Sequence, residues 1–227
     1  MIALLRSLAF YLAFYGISVW LVLRALLALA VAPHRFARLP RKWAQAHRWC
    51  LTHLAGIRVR EEGERPATPA LYAFRHEAFF EAIELPGVLD WPVVFAKSEL
   101  FSIPGWGRVA RAYGTVPVDR DGGAKGLREM LVGARRFAAE GRPLAIFPEG
   151  TRTPHGVQAP LRPGFVGIYK ATRLPVVPVA VNSGPLYHRW IKRPGTITIR
   201  FGTPIPPGLS RPEVEARVLA GINALNP

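Results

Sequence analysis

His76 and Glu81 form a pair whose types and spacing could run a reaction. They lie in Phe74-Arg75-His76-Glu77-Ala78-Phe79-Phe80-Glu81, between an apolar run and the start of a helical one. A carboxylate five residues on, about one turn into that helix, can reach back and hold one imidazole nitrogen. The other nitrogen is then left to accept a proton from a hydroxyl. This is a base with its orienting acid, and the nucleophile would come from the substrate. By itself a His-x4-acid spacing is weak, because a lone histidine on a surface turn is the commoner source of it.

A second string is more specific. In Phe147-Pro148-Glu149-Gly150-Thr151-Arg152 an apolar strand runs into a tight turn. Such a turn exposes backbone N–H groups, and Arg152 suits bidentate contact with a phosphate. Glu149 could hold that guanidinium, bind a substrate hydroxyl, or make an ordinary loop salt bridge. A third string, Gly114-Thr115-Val116-Pro117-Val118-Asp119-Arg120, delivers another cation past a strand. Asp119 there either orients Arg120 or serves the turn that follows. Lys97 is one more cation just past a strand, with a solvated surface lysine as its plain alternative.

These residues need a frame that places strand ends side by side. Strands are expected at 57–60, 71–74, 93–96, 115–118, 144–147, 176–181 and 196–201, several apolar without alternation. Continuous apolar runs suit strands covered on both faces. Helical stretches are expected at 78–85, 123–140, 163–172 and 212–225. The alternation implies an α/β fold with a central mixed, largely parallel sheet flanked by helices. Open sheets of this kind bind ligands beyond the carboxyl ends of their strands, where the three strings fall. The 176–181 run carries no chemistry and reads as core.

The whole chain narrows the field further. It has 227 residues, half of them hydrophobic, and a formal charge of +15. Disorder is excluded, and an anionic partner is implied. The one cysteine, Cys50, excludes an internal disulfide and a multi-cysteine metal site, and no metal or cofactor is expected. No acidic residue precedes Glu61. The same stretch opens with an apolar segment, whose uncharged part, residues 7–23, would reach about 25 Å as a helix. It is too long for the apolar core of a signal peptide and contains Arg24. It reads as a spanning helix or as one partly immersed beside a second, basic helix from residue 40 to about 55. Residues 1–56 are therefore expected to form an N-terminal two-helix membrane-associating element, and residues 57–227 the α/β domain. The basic residues after the first helix place that domain on the cytoplasmic face of the inner membrane. Nucleic acid is not the expected partner, since no aromatic-rich basic motif is present.

The ordered strings, from His76 through Val179, resemble those of the 1-acylglycerol-3-phosphate (lysophosphatidic acid) acyltransferase family among the glycerolipid acyltransferases. The resemblance covers about residues 71–183 and rests chiefly on Phe-Pro-Glu-Gly-Thr-Arg. It departs at the first string, where the family usually reads Asn-His-x-Ser-x-x-Asp. Here Arg75 precedes the histidine, Ala78 replaces the serine and Glu81 replaces the aspartate. The resemblance implies transfer of an acyl group from acyl-CoA or acyl carrier protein to a lysophospholipid hydroxyl, at an anionic membrane. His76 would be the base and Glu81 its orienter. Arg120, Arg152 and Lys97 would bind the acceptor's phosphate. Glu149, Gly150, Thr151 and Gly114 would shape the pocket. Another lyso-lipid such as lyso-ornithine lipid is the alternative acceptor. A non-catalytic basic membrane-binding protein is the alternative of another class.

Overall fold

A computed structural model describes residues 1–119, 122–187 and 190–226. The apolar opening segment is one helix, α1, Ile2–Val31, about 45 Å long at 1.5 Å per residue. A single turn, α2 (Pro33–Phe36), with proline in its first turn, ends the run. Helix α3, Leu39–Cys50, then returns antiparallel to α1. Leu39 joins Leu21 in one apolar cluster, Trp43 stacks on Phe14, and Leu54 accepts a hydrogen bond from Arg6. A π-helical turn at Leu51–Ala55 ends at Gly56, whose φ of +74° takes the chain into the sheet.

Strands β1 (Ile57–Glu62) and β2 (Leu71–Phe74) precede α4 (Phe79–Val88). Strand β3 (Val93–Lys97) leads through a 3₁₀ turn, Ser98–Ser102, into α5 (Trp106–Tyr113). Strand β4 (Val116–Val118), α6 (Gly123–Ala139), β5 (Leu144–Ile146) and α7 (Pro163–Thr172) follow. Strand β6 (Val176–Val181), the short α8 (Gly184–Tyr187), β7 (Gly195–Phe201) and α9 (Arg211–Ile222) complete the order.

The strands lie in the order β1-β7-β6-β2-β5-β3-β4. All neighbours are parallel except β6 and β7. The expected mixed, largely parallel sheet is thus present. Strand β2 is central and all four of its residues are buried. Its alternate residues serve two apolar layers. Tyr72 and Phe74 join Phe10, Phe14, Leu51 and Phe80 on the side of α1, α3 and α4. Leu71 and Ala73 join Met130, Phe165 and Val218 on the side of α6, α7 and α9. The first 56 residues therefore share a core with the sheet.

Helix α5 is the main element the sequence pattern does not announce. It is eight residues long and holds Gly107, which breaks the helical signal. That glycine is required by packing, because a Cβ there would stand 2.0 Å from the Phe101 carbonyl oxygen.

Candidate active site

The carboxyl ends of β6, β2, β5 and β3 lie next to one another, and a polar residue stands within three positions of each. Strand β2 leads to His76, β5 to Glu149 and Arg152, β3 ends in Lys97, and β6 leads to Ser183. The parallel order of β6, β2, β5 and β3 makes this convergence.

His76 Nδ1 lies 3.0 Å from Glu81 Oε2. A carboxylate oxygen only accepts, so Nδ1 carries the hydrogen and Nε2 is the acceptor. Nε2 has no hydrogen-bond partner among the described residues. The imidazole stacks on Phe147, ring centroids 4.0 Å apart. Its backbone is held as firmly: the His76 N–H donates to Glu149 Oε2 at 3.0 Å, and its carbonyl accepts from the Thr153 N–H at 2.7 Å. Glu81 stands at the third position of α4, and its Oε2 also accepts the Ala78 N–H at 2.9 Å. That is the backbone half of a capping box, retained although Ala78 has no hydroxyl.

Glu149 is buried and both its oxygens are used within the protein. Oε1 accepts from Arg75 Nη1 at 2.5 Å, and Oε2 takes the His76 N–H. Burial pushes its proton affinity up, against the pull of the His76 amide and the Arg75 guanidinium. Arg75 is itself fully buried and also donates to the carbonyls of Pro154 and Val157. Removing one partner of such a pair costs about 3–5 kcal/mol, because the other charge stays buried. The second string is therefore clamped onto the first by Arg75, the residue that departs from the family's asparagine.

The cations are placed less uniformly. Arg152 is exposed, and its guanidinium lies over the Phe79 ring at 4.4 Å. It has no ion-pair partner among the described residues. Lys97 is half exposed and paired with Glu99 at 2.5 Å, which pulls that carboxyl down to about 2. Arg120 lies outside the described residues. Asp119 Oδ1 accepts the Gly122 N–H, so it serves the turn. Thr151 is exposed on the loop. Gly150 has φ +69°, and a Cβ there would meet Arg162 Cγ at 2.7 Å. Gly114 ends α5 with φ +95°, between Tyr113 and Thr115. It is those two neighbours that line the cavity described next.

Beside Ala78, Phe79 and Arg152 opens a cavity of about 650 Å³, within the roughly 300–1,000 Å³ of small-molecule sites. It runs along the inner face of α1, from Tyr11 to Ala25, and is walled by Trp43, Ile83, Val94 and Ala110. The walls are almost wholly apolar. At the end near Tyr11 stands Lys192, buried, with Nζ 3.6 Å from the Tyr187 ring centroid and 2.7 Å from its carbonyl. Burial lowers its proton affinity to about 8.

Lys192 and Arg75 were not legible as site residues from the sequence. Arg75 carried one signal, a charged residue between a buried strand and a histidine. Lys192 sits in a stretch with no motif.

Residues 56–182, more than half the chain, match the acyltransferase family model. The chain is 27% identical over 172 residues to the 1-acyl-sn-glycerol-3-phosphate acyltransferase of Pseudomonas aeruginosa, covering 74% of this chain and 67% of that protein. It is 29% identical over 166 residues to the protein of the same name from Bacillus subtilis, covering 71% and 80%. A relative of the same name from Cocos nucifera is matched over 65% of its length, so the chain spans about two thirds of some of these proteins. The crystal structure of a 1-acyl-sn-glycerophosphate (LPA) acyltransferase from Thermotoga maritima has the same fold, with a TM-score of 0.75 at 23% identity, covering 97% of this chain and 93% of that one. With His76, Glu81 and the Phe147–Arg152 string inside the matched span, the chain belongs to the acyltransferase family.

Proposed function

We propose that this protein transfers a fatty acyl group from a thioester, acyl-CoA or acyl carrier protein, to the sn-2 hydroxyl of 1-acylglycerol-3-phosphate, giving phosphatidic acid. The observation that carries the reading is the His76–Glu81 pair with Nε2 unengaged among the described residues, two positions before Ala78 in the lining of an apolar cavity. Nε2 takes the hydroxyl proton as the oxygen attacks the thioester carbonyl. The C–S bond then breaks, and the imidazolium returns its proton to the leaving thiolate. Glu81 keeps the ring in the required tautomer and stabilises the charged form. The cavity accepts an acyl chain, each buried CH₂ contributing about 0.8 kcal/mol. Arg152, together with Arg120 and Lys97, binds the acceptor's phosphate, and Gly150, Thr151 and Gly114 shape the adjoining walls. Glu149 acts on the pocket through Arg75 and the His76 backbone.

The enzyme works at a membrane surface, with α1 lying in one leaflet. Its outer stripe, including Leu8, Leu12, Val19, Leu23 and Leu27, is exposed and apolar. Its inner face packs along α3 and α5, so the helix lies beside the body. An apolar stripe flanked by exposed Arg35, Arg38 and Lys42 suits the headgroup boundary of an anionic leaflet. The inner membrane, with the domain on its cytoplasmic face, is the setting that fits this charge pattern.

A thiol-release assay tests the reading. Acyl-CoA and acyl carrier protein thioesters are offered against 1-acylglycerol-3-phosphate, lyso-ornithine lipid and other lyso-lipids. The phosphomonoester acceptor should be preferred, and Arg152→Ala should raise its KM about tenfold or more while sparing the donor. Preference for lyso-ornithine lipid, or an equal effect on both KM values, would overturn it.

A further inference from the structure

We propose that Ser183 is a positioning residue of the acyl-transfer centre, holding the Glu81 carboxylate in the plane that His76 requires. The proposal rests on the role given above to His76 as general base. Ser183 follows β6, a strand with no chemistry of its own, and is fully buried. Its Oγ donates a short hydrogen bond to Glu81 Oε1. The other oxygen, Oε2, receives His76 Nδ1–H and the Ala78 N–H. The carboxylate is thus gripped on one oxygen by its own helix start and on the other by the neighbouring strand. Glutamate has one more rotatable bond than aspartate, so a carboxylate anchored on one oxygen alone would sample more orientations. The second anchor removes that freedom.

The anchor itself is fixed. The Ser183 carbonyl accepts the Leu186 and Tyr187 N–H groups, which starts α8. The next amide, Gly184 N–H, donates to buried Glu77 at 2.7 Å. One helical turn below the Ser183–Glu81 bond lies a second bridge between the same two elements. Tyr187 Oη and His47 Nε2 are 3.0 Å apart, and His47 Nδ1 lies 2.8 Å from Glu84 Oε1. Tyr187 is four residues after Ser183, and Glu84 three after Glu81. Segment 183–187 and helix α4 are therefore joined on two levels. The second bridge runs through His47 of α3, so a shift of either element strains a direct bond and a relayed one. A hydroxyl on so rigid a support sets the direction of the carboxylate instead of following it.

A purely structural serine would change stability and leave the chemistry of bound substrate alone. A positioning serine acts only through Glu81, and a double-mutant cycle separates the two. Ser183→Ala, Glu81→Gln and the double variant are assayed with the preferred donor and acceptor. Ser183→Ala should lower kcat about ten- to a hundredfold, the scale of a small misplacement of reacting groups, with both KM values unchanged. In the Glu81→Gln background the same change should cost little more. A cost that persists undiminished there, or an unchanged kcat in the single variant, overturns the proposal. A second readout needs no turnover: the low-field Nδ1–H proton resonance of His76, assigned by its loss in His76→Ala. It should shift upfield or broaden in Ser183→Ala, and an unchanged resonance overturns the proposal. If the wild-type chain acylates no lyso-lipid while that resonance still responds, the assigned reaction fails and the positioning role stands.

Discussion

At the scale of single residues, the proposed mechanism depends on His76 having one nitrogen engaged and one available. Replacing His76 by Ala should lower kcat by about 10²–10⁴-fold, the usual range for losing a general base. Vesicle binding should be retained and thermal stability should fall only modestly, because the ring is partly exposed and Glu81 keeps its bonds to Ala78 and Ser183. Near-normal turnover in that variant would remove the histidine from the mechanism. The His76–Glu81 contact was within reach of the spacing, but a lone surface histidine fits that spacing too, and it was the Phe147–Arg152 string that singled the pair out. The partners of Glu149 were beyond that reach. Its string suggests a loop carboxylate open to substrate, yet both oxygens are consumed by Arg75 and the His76 amide. Sequence spacing reports neighbours within one segment. It is silent on which segment the fold will lay across it, and Arg75 and Glu149 meet across 74 positions.

At the scale of elements, the link between the N-terminal helices and α4 is polar as well as apolar. His47 on α3 is buried between Glu84 on α4 and Tyr187 on α8. Burial holds its proton affinity below the ordinary 6.5, outweighing the pull of Glu84. A histidine whose folded-state affinity is depressed contributes stability that is full above 6.5 and is lost as pH falls below it. His47→Phe should destabilise the protein by about 1–3 kcal/mol at neutral pH, by leaving its partners unpaired. The gap to wild type should shrink as melting is followed from pH 7 to pH 5, and a constant gap would show that His47 does not titrate. Helix α5 makes a different prediction. Ala110 is buried at the wall of the apolar cavity. Ala110→Leu should take volume from it, so that activity with the longest acyl donors falls while that with short ones persists. A uniform loss across chain lengths would mean that the chain lies elsewhere. The inner strands were readable as short apolar runs between breakers, and β1 and β7 by the alternation of β-branched and polar residues. Helix α5 was not, because it is only eight residues long, holds Gly107 and directly follows the Pro104-Gly105 breaker.

At the scale of the whole molecule, charge and apolarity are concentrated on the same part of the chain. The net +15 should make binding to anionic vesicles strong at low salt. At about 1 M salt, where screening shortens to about 3 Å, the anionic preference should vanish while residual binding through α1 remains. Changing Arg35, Arg38 and Lys42 together to Gln should reproduce the high-salt behaviour at low salt in a flotation assay. Binding lost entirely at high salt would mean that α1 does not enter the bilayer. Composition announced this basic, apolar opening, but not that Phe10 and Phe14 are as deeply buried as the sheet. Because those rings belong to the same packed interior as Tyr72 and Val179, the opening helix is not a detachable tether. A shortened version beginning at the sheet would have its central strand's hydrophobic side stripped bare. The usual route to a water-soluble fragment, trimming away the greasy end, would yield a protein that clumps, not one that floats free and still reacts.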